Sequence, residues 1–192
     1  MVTKRLEFSS ADKIRNTSLM QTRNVTVQSL ASTITPGMPL YFDQQRNKLF
    51  ISSQTPLTLR ASIQNAQVEY QIRRAGAGIG PDQQWVLVNN NYTFHIPLTL
   101  QDGDYVIYHR AVLGNLRGII SEFTFTLDNT PPNVRIYDEQ GNEIQGSEIT
   151  IIEGQKIILQ ATDSGSGVAK IVYRIDNGEL IEVQGDRAEI QF

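Results

Sequence analysis

From Asn24 onward the sequence is a run of short stretches in which apolar and polar residues alternate, cut by turn residues at close, even spacing. Beyond the N-terminal lead-in, no stretch of about ten residues carries an apolar stripe of helical period. Such a chain buries its apolar side chains by stacking antiparallel sheets, so the pattern predicts an all-β sandwich. The expected strands are 24–30, 40–43, 48–51, 56–62, 67–73, 84–88, 92–96, 103–112 and 122–128, with Thr35-Pro36-Gly37-Met38-Pro39 as a break. The 103–112 strand carries bulk on both faces (Tyr105, Ile107 and His109 against Val106, Tyr108 and Arg110), which marks a central strand.

Asp128-Asn129-Thr130-Pro131-Pro132 is the strongest boundary, because paired prolines cannot continue a central ladder and stiffen the chain. The expected organisation is a flexible or partner-dependent lead-in (1–22), a first sandwich with an N-terminal strand extension (23–129), a proline linker (130–132) and a partial second module (133–192). Strands are expected there at 134–137, 149–152, 156–163, 169–175 and 180–183. The two halves align: Pro56-Leu57-Thr58-Leu59-Arg60-Ala61 matches Lys156-Ile157-Ile158-Leu159-Gln160-Ala161, and Val68-Glu69-Tyr70-Gln71-Ile72 matches Ile171-Val172-Tyr173-Arg174-Ile175. The register sets Ala188–Phe192 opposite Asn91–His95, so the second module is expected to be truncated, without counterparts to the Gly103–Asp128 strands and with an unpaired edge.

Composition narrows the function classes. Seventeen Lys and Arg against 20 Asp and Glu give a net charge of −3, no global field for nucleic acid or an anionic membrane. The absence of cysteine removes disulfides, thiolate metal sites and cysteine nucleophiles, and two histidines offer little catalytic or zinc chemistry. No apolar run has the length of a membrane span, and the first residues lack a signal-peptide apolar core. The chain is therefore expected to be cytoplasmic or to have its export signal outside this sequence.

Residues 103–132, from Gly103-Asp104-Tyr105-Val106-Ile107-Tyr108-His109-Arg110-Ala111 to Leu127-Asp128-Asn129-Thr130-Pro131-Pro132, resemble the closing strands of bacterial Ig-like repeats that occur in tandem in large cell-envelope and surface proteins. Asp163-Ser164-Gly165-Ser166-Gly167-Val168 and Ile171–Gly178 resemble the opening of the next such repeat, and the likeness covers about residues 48–192. Leu113, where the family commonly has Asp, and Gln64-Asn65-Ala66-Gln67, which replaces a Ser-Gly turn, depart from the pattern. The resemblance implies an Ig-like or fibronectin-III-like sandwich in the bacterial envelope, periplasmic or at the cell surface. It further implies a non-catalytic module without cofactor, whose partners are other protein chains or further repeats, as in a polymeric or ring-like assembly.

Each candidate site has a plain structural alternative. Gly76-Ala77-Gly78-Ile79-Gly80-Pro81 looks like a phosphate loop, but no helix pattern follows it, so a hairpin connection is expected. His95 and His109 lack partners at motif spacing and are expected in the core or on the surface. Asp128, Asp163 and Asp176 could bind a calcium that stiffens the junction, although turn-forming Asp residues bond local backbone without metal. Trp85 and Tyr92, with Tyr105 and Tyr108, could form a sugar platform, as in a carbohydrate-binding accessory module, or fill the core. For edge pairing with a partner, the expected residues are Lys170, Val172, Arg174, Ile181, Val183, Ile190 and Phe192.

Overall fold

Alternation with β-branched and aromatic residues produces strands along nearly the whole chain, as a computed structural model that describes residues 2–13, 15–146 and 148–192 shows. The first strands are β1 (Val2–Phe8), β2 (Gln21–Val27), β3 (Ser32–Pro36), β4 (Leu40–Asp43), β5 (Lys48–Ile51) and β6 (Leu57–Ala61). Next come β7 (Gln67–Arg74), β8 (Val86–Val88), β9 (Tyr92–Phe94), β10 (Gly103–Leu113), β11 (Leu116–Arg117) and β12 (Ser121–Leu127). The last are β13 (Asn133–Tyr137), β14 (Lys156–Thr162), β15 (Lys170–Tyr173), β16 (Ile181–Gln184) and β17 (Arg187–Gln191). The chain groups into two compact units. One holds residues through Met38, Pro56–His95 and Tyr105–Thr124; the other holds Pro39–Thr55, Ile96–Asp104 and Phe125–Phe192.

In the first unit a β3-β6-β9 sheet faces a sheet of order β12-β10-β7-β8, with β11 on β10. The chain crosses from one sheet to the other between β6 and β7, between β8 and β9 and between β9 and β10, as in Ig-like and fibronectin-III-like sandwiches. Leu57 and Leu59 of β6, Val68 of β7, and Ile107 and Ala111 of β10 fill the interior, where Tyr70 stacks on Phe94 at 4.7 Å between ring centroids. Strand β10 is central, as its two bulky faces predict, with His109 opposite Tyr70 and Arg110 opposite Glu69. A separate antiparallel hairpin, β1–β2, pairs Val2 with Val27 through Phe8 with Gln21.

In the second unit β4 pairs with β5, and β5 runs parallel to the end of β12, Phe50 opposite Thr126 and Ile51 opposite Leu127. Strands β13-β14-β17 form one sheet and β15-β16 another, and Ile157, Leu159, Ala161, Ile171, Ala188 and Ile190 form their common core. The pairings of β13, β14 and β17 follow the same order as those of β3, β6 and β9, and β15–β16 follows β7–β8.

Three expectations change. The lead-in at 1–22 carries strand β1, whose Val2, Leu6 and Phe8 alternate with Thr3, Arg5 and Glu7 but remain exposed. The break at Thr35–Pro39 begins later than expected, since Ser32–Pro36 pairs with β6 and places Pro36 at the end of the ladder, where its missing N–H does least harm. Residues 149–152 form no strand; the Gln155 side chain accepts the Ile152 N–H at 2.9 Å, turning the chain before β14, and Ile152 points outward.

Candidate functional site

Strand β15 alternates Lys170 and Val172 on one face with Ile171 and Tyr173 on the other. The second face reaches the core: Ile171 is buried and Tyr173 packs against the same cluster. Opposite lies β16, with Ile171 against Val183 and Val172 against Glu182, and an exposed Lys170–Glu182 ion pair closes at 2.7 Å. An exposed pair of this kind adds at most about 1 kcal/mol. Among the described residues β15 has no partner strand on its other edge, whereas β7 of the first unit pairs with β8 on one side and β10 on the other. Val172 is 45% exposed, and Ile175, Leu180 and Ile181 beside it are also exposed.

The residues expected to mediate pairing therefore divide. Lys170, Val172 and Arg174 lie on or just past β15, Ile181 is exposed on β16, and Phe192 is exposed after β17. Ile190 instead sits buried opposite Ile157 in the β14–β17 ladder, and Val183 packs against the core, because the inward register of β16 and β17 claims them.

The residues that lead into the proline linker are tied down. Asp102 accepts hydrogen bonds from the Asn129 N–H (2.9 Å), the Thr130 N–H (3.1 Å) and the Thr130 hydroxyl (2.6 Å). Burial pulls the Asp102 pKa up, but these bonds outweigh it and leave the carboxyl below its ordinary value. Asn129 accepts the Ser53 N–H at 2.8 Å. Asp128 accepts the Ser166 N–H at 2.6 Å, while Arg46 donates to the Gly165 carbonyl at 2.8 Å and its guanidinium lies 4.6 Å from the Phe50 ring centroid. The two resemblance motifs, Asp128-Asn129-Thr130-Pro131-Pro132 and Asp163–Val168, thus meet directly. The linker lies within the second unit.

Two of the three aspartates weighed as calcium ligands, Asp128 and Asp163, accept backbone N–H groups. Asp163 accepts the Gly165 and Gly167 N–H groups at 2.7 and 3.0 Å, a local Asx turn, and Asp176 occupies a turn with φ of 50°. Among the described residues no group of three or more His, Cys, Asp or Glu is placed to hold a metal ion. A Cβ on Gly165 would lie 2.4 Å from the Asp128 carboxyl, so only glycine lets that carboxyl reach Ser166. Gly165→Ala is expected to break the Ser166–Asp128 bond and raise amide exchange across 163–167 by at least about tenfold, corresponding to about 1.4 kcal/mol or more. Unchanged exchange there would show that the bond does not hold the turn.

The aromatic candidates do not assemble into one platform. Trp85 lies just before β8 with the Arg110 guanidinium 4.5 Å from its ring centroid. Tyr92 belongs to the opposing sheet and stacks on Phe94, and Tyr105 and Tyr108 are buried. The Gly76–Pro81 loop leads only to a 3₁₀ turn at Asp82–Gln84, as a hairpin connection requires. His95 is exposed, but His109 is buried with its Nδ1 2.7 Å from the Ser32 hydroxyl, a contact across 77 residues that no motif signals.

No family model and no curated protein matches this chain. Among solved structures, a crystal structure of chicken CNTN1 FN1-FN3 domains is similar over 97% of this chain and 66% of that one, at 10% identity and a TM-score of 0.35. The fold assignment rests on the strand order described above.

Proposed function

We propose that the protein is a non-catalytic structural and interaction module of a bacterial envelope or surface assembly, and that it acts by accepting a partner strand. One observation carries this reading: among the described residues no strand pairs with the second edge of β15, which lies beside a core with exposed apolar neighbours at the position where β7 of the first unit is covered by β10. Strand addition supplies main-chain hydrogen bonds for affinity and alternate side-chain positions for specificity. The envelope setting follows from the resemblance of residues 48–192 to tandem surface repeats. The bonds at Asp102 and Asp128 suit a spacer, because they fix the residues that lead into the prolines.

A peptide carrying the β10 sequence Gly103–Leu113 tests strand acceptance. Added in excess to the full chain, it is expected to slow exchange of the Lys170–Tyr173 amides by about tenfold or more and to leave the β7 amides unchanged. Equal exchange of β15 with and without peptide would overturn the reading.

A further inference from the structure

A cavity of about 190 Å³ lies entirely within the second unit, between the β4–β5 hairpin and the turn that carries Ser166. Local sequence builds both sides of it. Asp43 closes the hairpin by accepting the Gln45 and Arg46 N–H groups at 2.9 Å each, and Asn47 completes the turn with φ of 50°. Directly opposed residues of an antiparallel pair share a face. Tyr41 and Phe50 oppose each other in this ladder, so their rings stand on one face with centroids 6.3 Å apart, and with Pro39 they supply apolar wall to the cavity. On the other side, the missing side chain at Gly165 lets Asp128 reach the Ser166 N–H, which brings a carboxylate and a hydroxyl to the same cavity.

The polar groups there have unused capacity. Asp128 Oδ2 accepts the Ser166 N–H, while Asp128 Oδ1 and the Ser166 hydroxyl make no hydrogen bond among the described residues. The Ser52 hydroxyl, also at the cavity, already accepts the Gln54 N–H at 3.2 Å. Of the charges nearby, Asp43 holds the Arg46 guanidinium and Asp163 is taken by the Gly165 and Gly167 N–H groups, so the Asp128 carboxylate is left without a cation. The second unit as a whole carries seven Lys and Arg against fifteen Asp and Glu, a net of −8, which draws cations toward it.

These features select one kind of guest. A metal ion needs several hard ligands, and among the described residues no group of three or more His, Cys, Asp or Glu is placed to supply them. A guanidinium is best matched by both oxygens of a carboxylate, and one oxygen of Asp128 is already committed to Ser166. An ammonium is a point charge that one carboxylate oxygen and one hydroxyl can serve, and it gains further from aromatic rings close by. Its alkyl stem would cover the Tyr41, Phe50 and Pro39 surfaces, as long charged side chains do elsewhere. We propose that this cavity binds a lysine side chain presented by another protein chain, with the ammonium at Asp128 Oδ1 and the Ser166 hydroxyl and the stem along Tyr41 and Phe50. The site lies on internal segments of the chain and does not depend on strand addition at β15, so either can fail without the other.

The test titrates the full chain with N-acetyl-lysine methylamide and follows backbone amide shifts by NMR. Saturable shifts are expected at Tyr41, Phe50, Ile51 and Ser166 with a Kd of about 1–10 mM, ordinary for a single side chain, and the Kd is expected to rise with salt. The norleucine analogue, of similar shape without the charge, is expected to bind at least about tenfold more weakly, and the arginine analogue also more weakly than lysine. Asp128→Asn keeps an oxygen for the Ser166 N–H while removing the charge, so lysine binding is expected to fall about tenfold with amide exchange across 163–167 unchanged. If exchange there rises, Tyr41→Ala decides instead: Tyr41 is 51% exposed on the outer strand of its sheet, so the variant keeps the Asp128–Ser166 turn and is expected to bind about fivefold more weakly. Absence of saturable shifts up to about 50 mM overturns the proposal. Equal binding of the norleucine analogue, or wild-type binding in Asp128→Asn, also overturns it and leaves an apolar cavity that does not read charge.

Discussion

Lowering the pH from above 6.5 to 4 is expected to remove about 3 kcal/mol from the stability of the first unit through His109 alone. Burial pushes this imidazole down to about 4 from an ordinary value of 6.5, because β10 places it inside the sandwich, where it bonds the Ser32 hydroxyl. Between those two values the unfolded chain binds the proton and the folded chain does not. Stability therefore rises with pH through the window, is complete above about 6.5 and is lost as pH falls toward 4. The carboxylates act lower. Asp43, held down by the Arg46 N–H and guanidinium, and Asp138, held down by Asn142, have pKa values below 3.8, so their contributions are present above that value and disappear below it. Urea unfolding at a series of pH values measures the slope, and His109→Gln should flatten it between 4 and 6.5 while leaving the fall below 3.8. Ser32→Ala, which deprives the buried imidazole of its partner, is expected to cost about 1–3 kcal/mol at pH 7. A wild-type stability flat from pH 7 to 4.5 would contradict the buried neutral histidine.

The elements legible in the sequence are those whose pattern is local. Strands β6, β7 and β14 alternate around buried positions and are bounded by turn residues, so period places them, while β10 is marked instead by bulk on both of its faces. The matching of Ala188–Phe192 with Asn91–His95 finds the right strand but in a register off by one residue: β17 lies against β14 as β9 lies against β6, with Ile190 at the place of Phe94 and Ala188 at that of Tyr92. Strand β3 was hidden by Pro36 and Gly37, which read as a break when the ladder runs to the proline itself. Ile149-Thr150-Ile151-Ile152 has strand composition but lies in an irregular segment, where Ile151 packs on the core and Gln155 caps the turn. Long-range polar contacts leave no local trace: Ser32 to His109, Asp102 to Thr130 and Asp128 to Ser166 are made by unremarkable residues that only the folded chain brings together. The assignment of Ile190 to the core required the inward register of β17.

Removing the Glu69 carboxylate is expected to destabilise the first unit by about 3 kcal/mol. Glu69 and Arg110 oppose each other across the β7–β10 ladder, on the face turned away from Leu57 and Leu59, and their side chains are only 8% and 16% exposed. Arg110 donates through Nε to Glu69, Arg117 approaches the same oxygen at 3.2 Å, and the Trp85 ring covers the Arg110 guanidinium. In Glu69→Ala two guanidinium groups converge on a site with no counter-charge, and the more buried of them keeps its desolvation cost without its partner. Arg117, more than half exposed, can turn to water; Arg110 cannot do so without leaving Trp85. The single tryptophan reports the outcome directly, because a shift of Arg110 off its ring changes the only indole emission in the chain. If the penalty comes from the stranded cation, then replacing both partners, Glu69→Leu with Arg110→Met, recovers most of the loss, since an apolar pair of similar volume needs no counter-charge. A double variant as unstable as Glu69→Ala would place the cost in the packing around β7 and not in the ion pair.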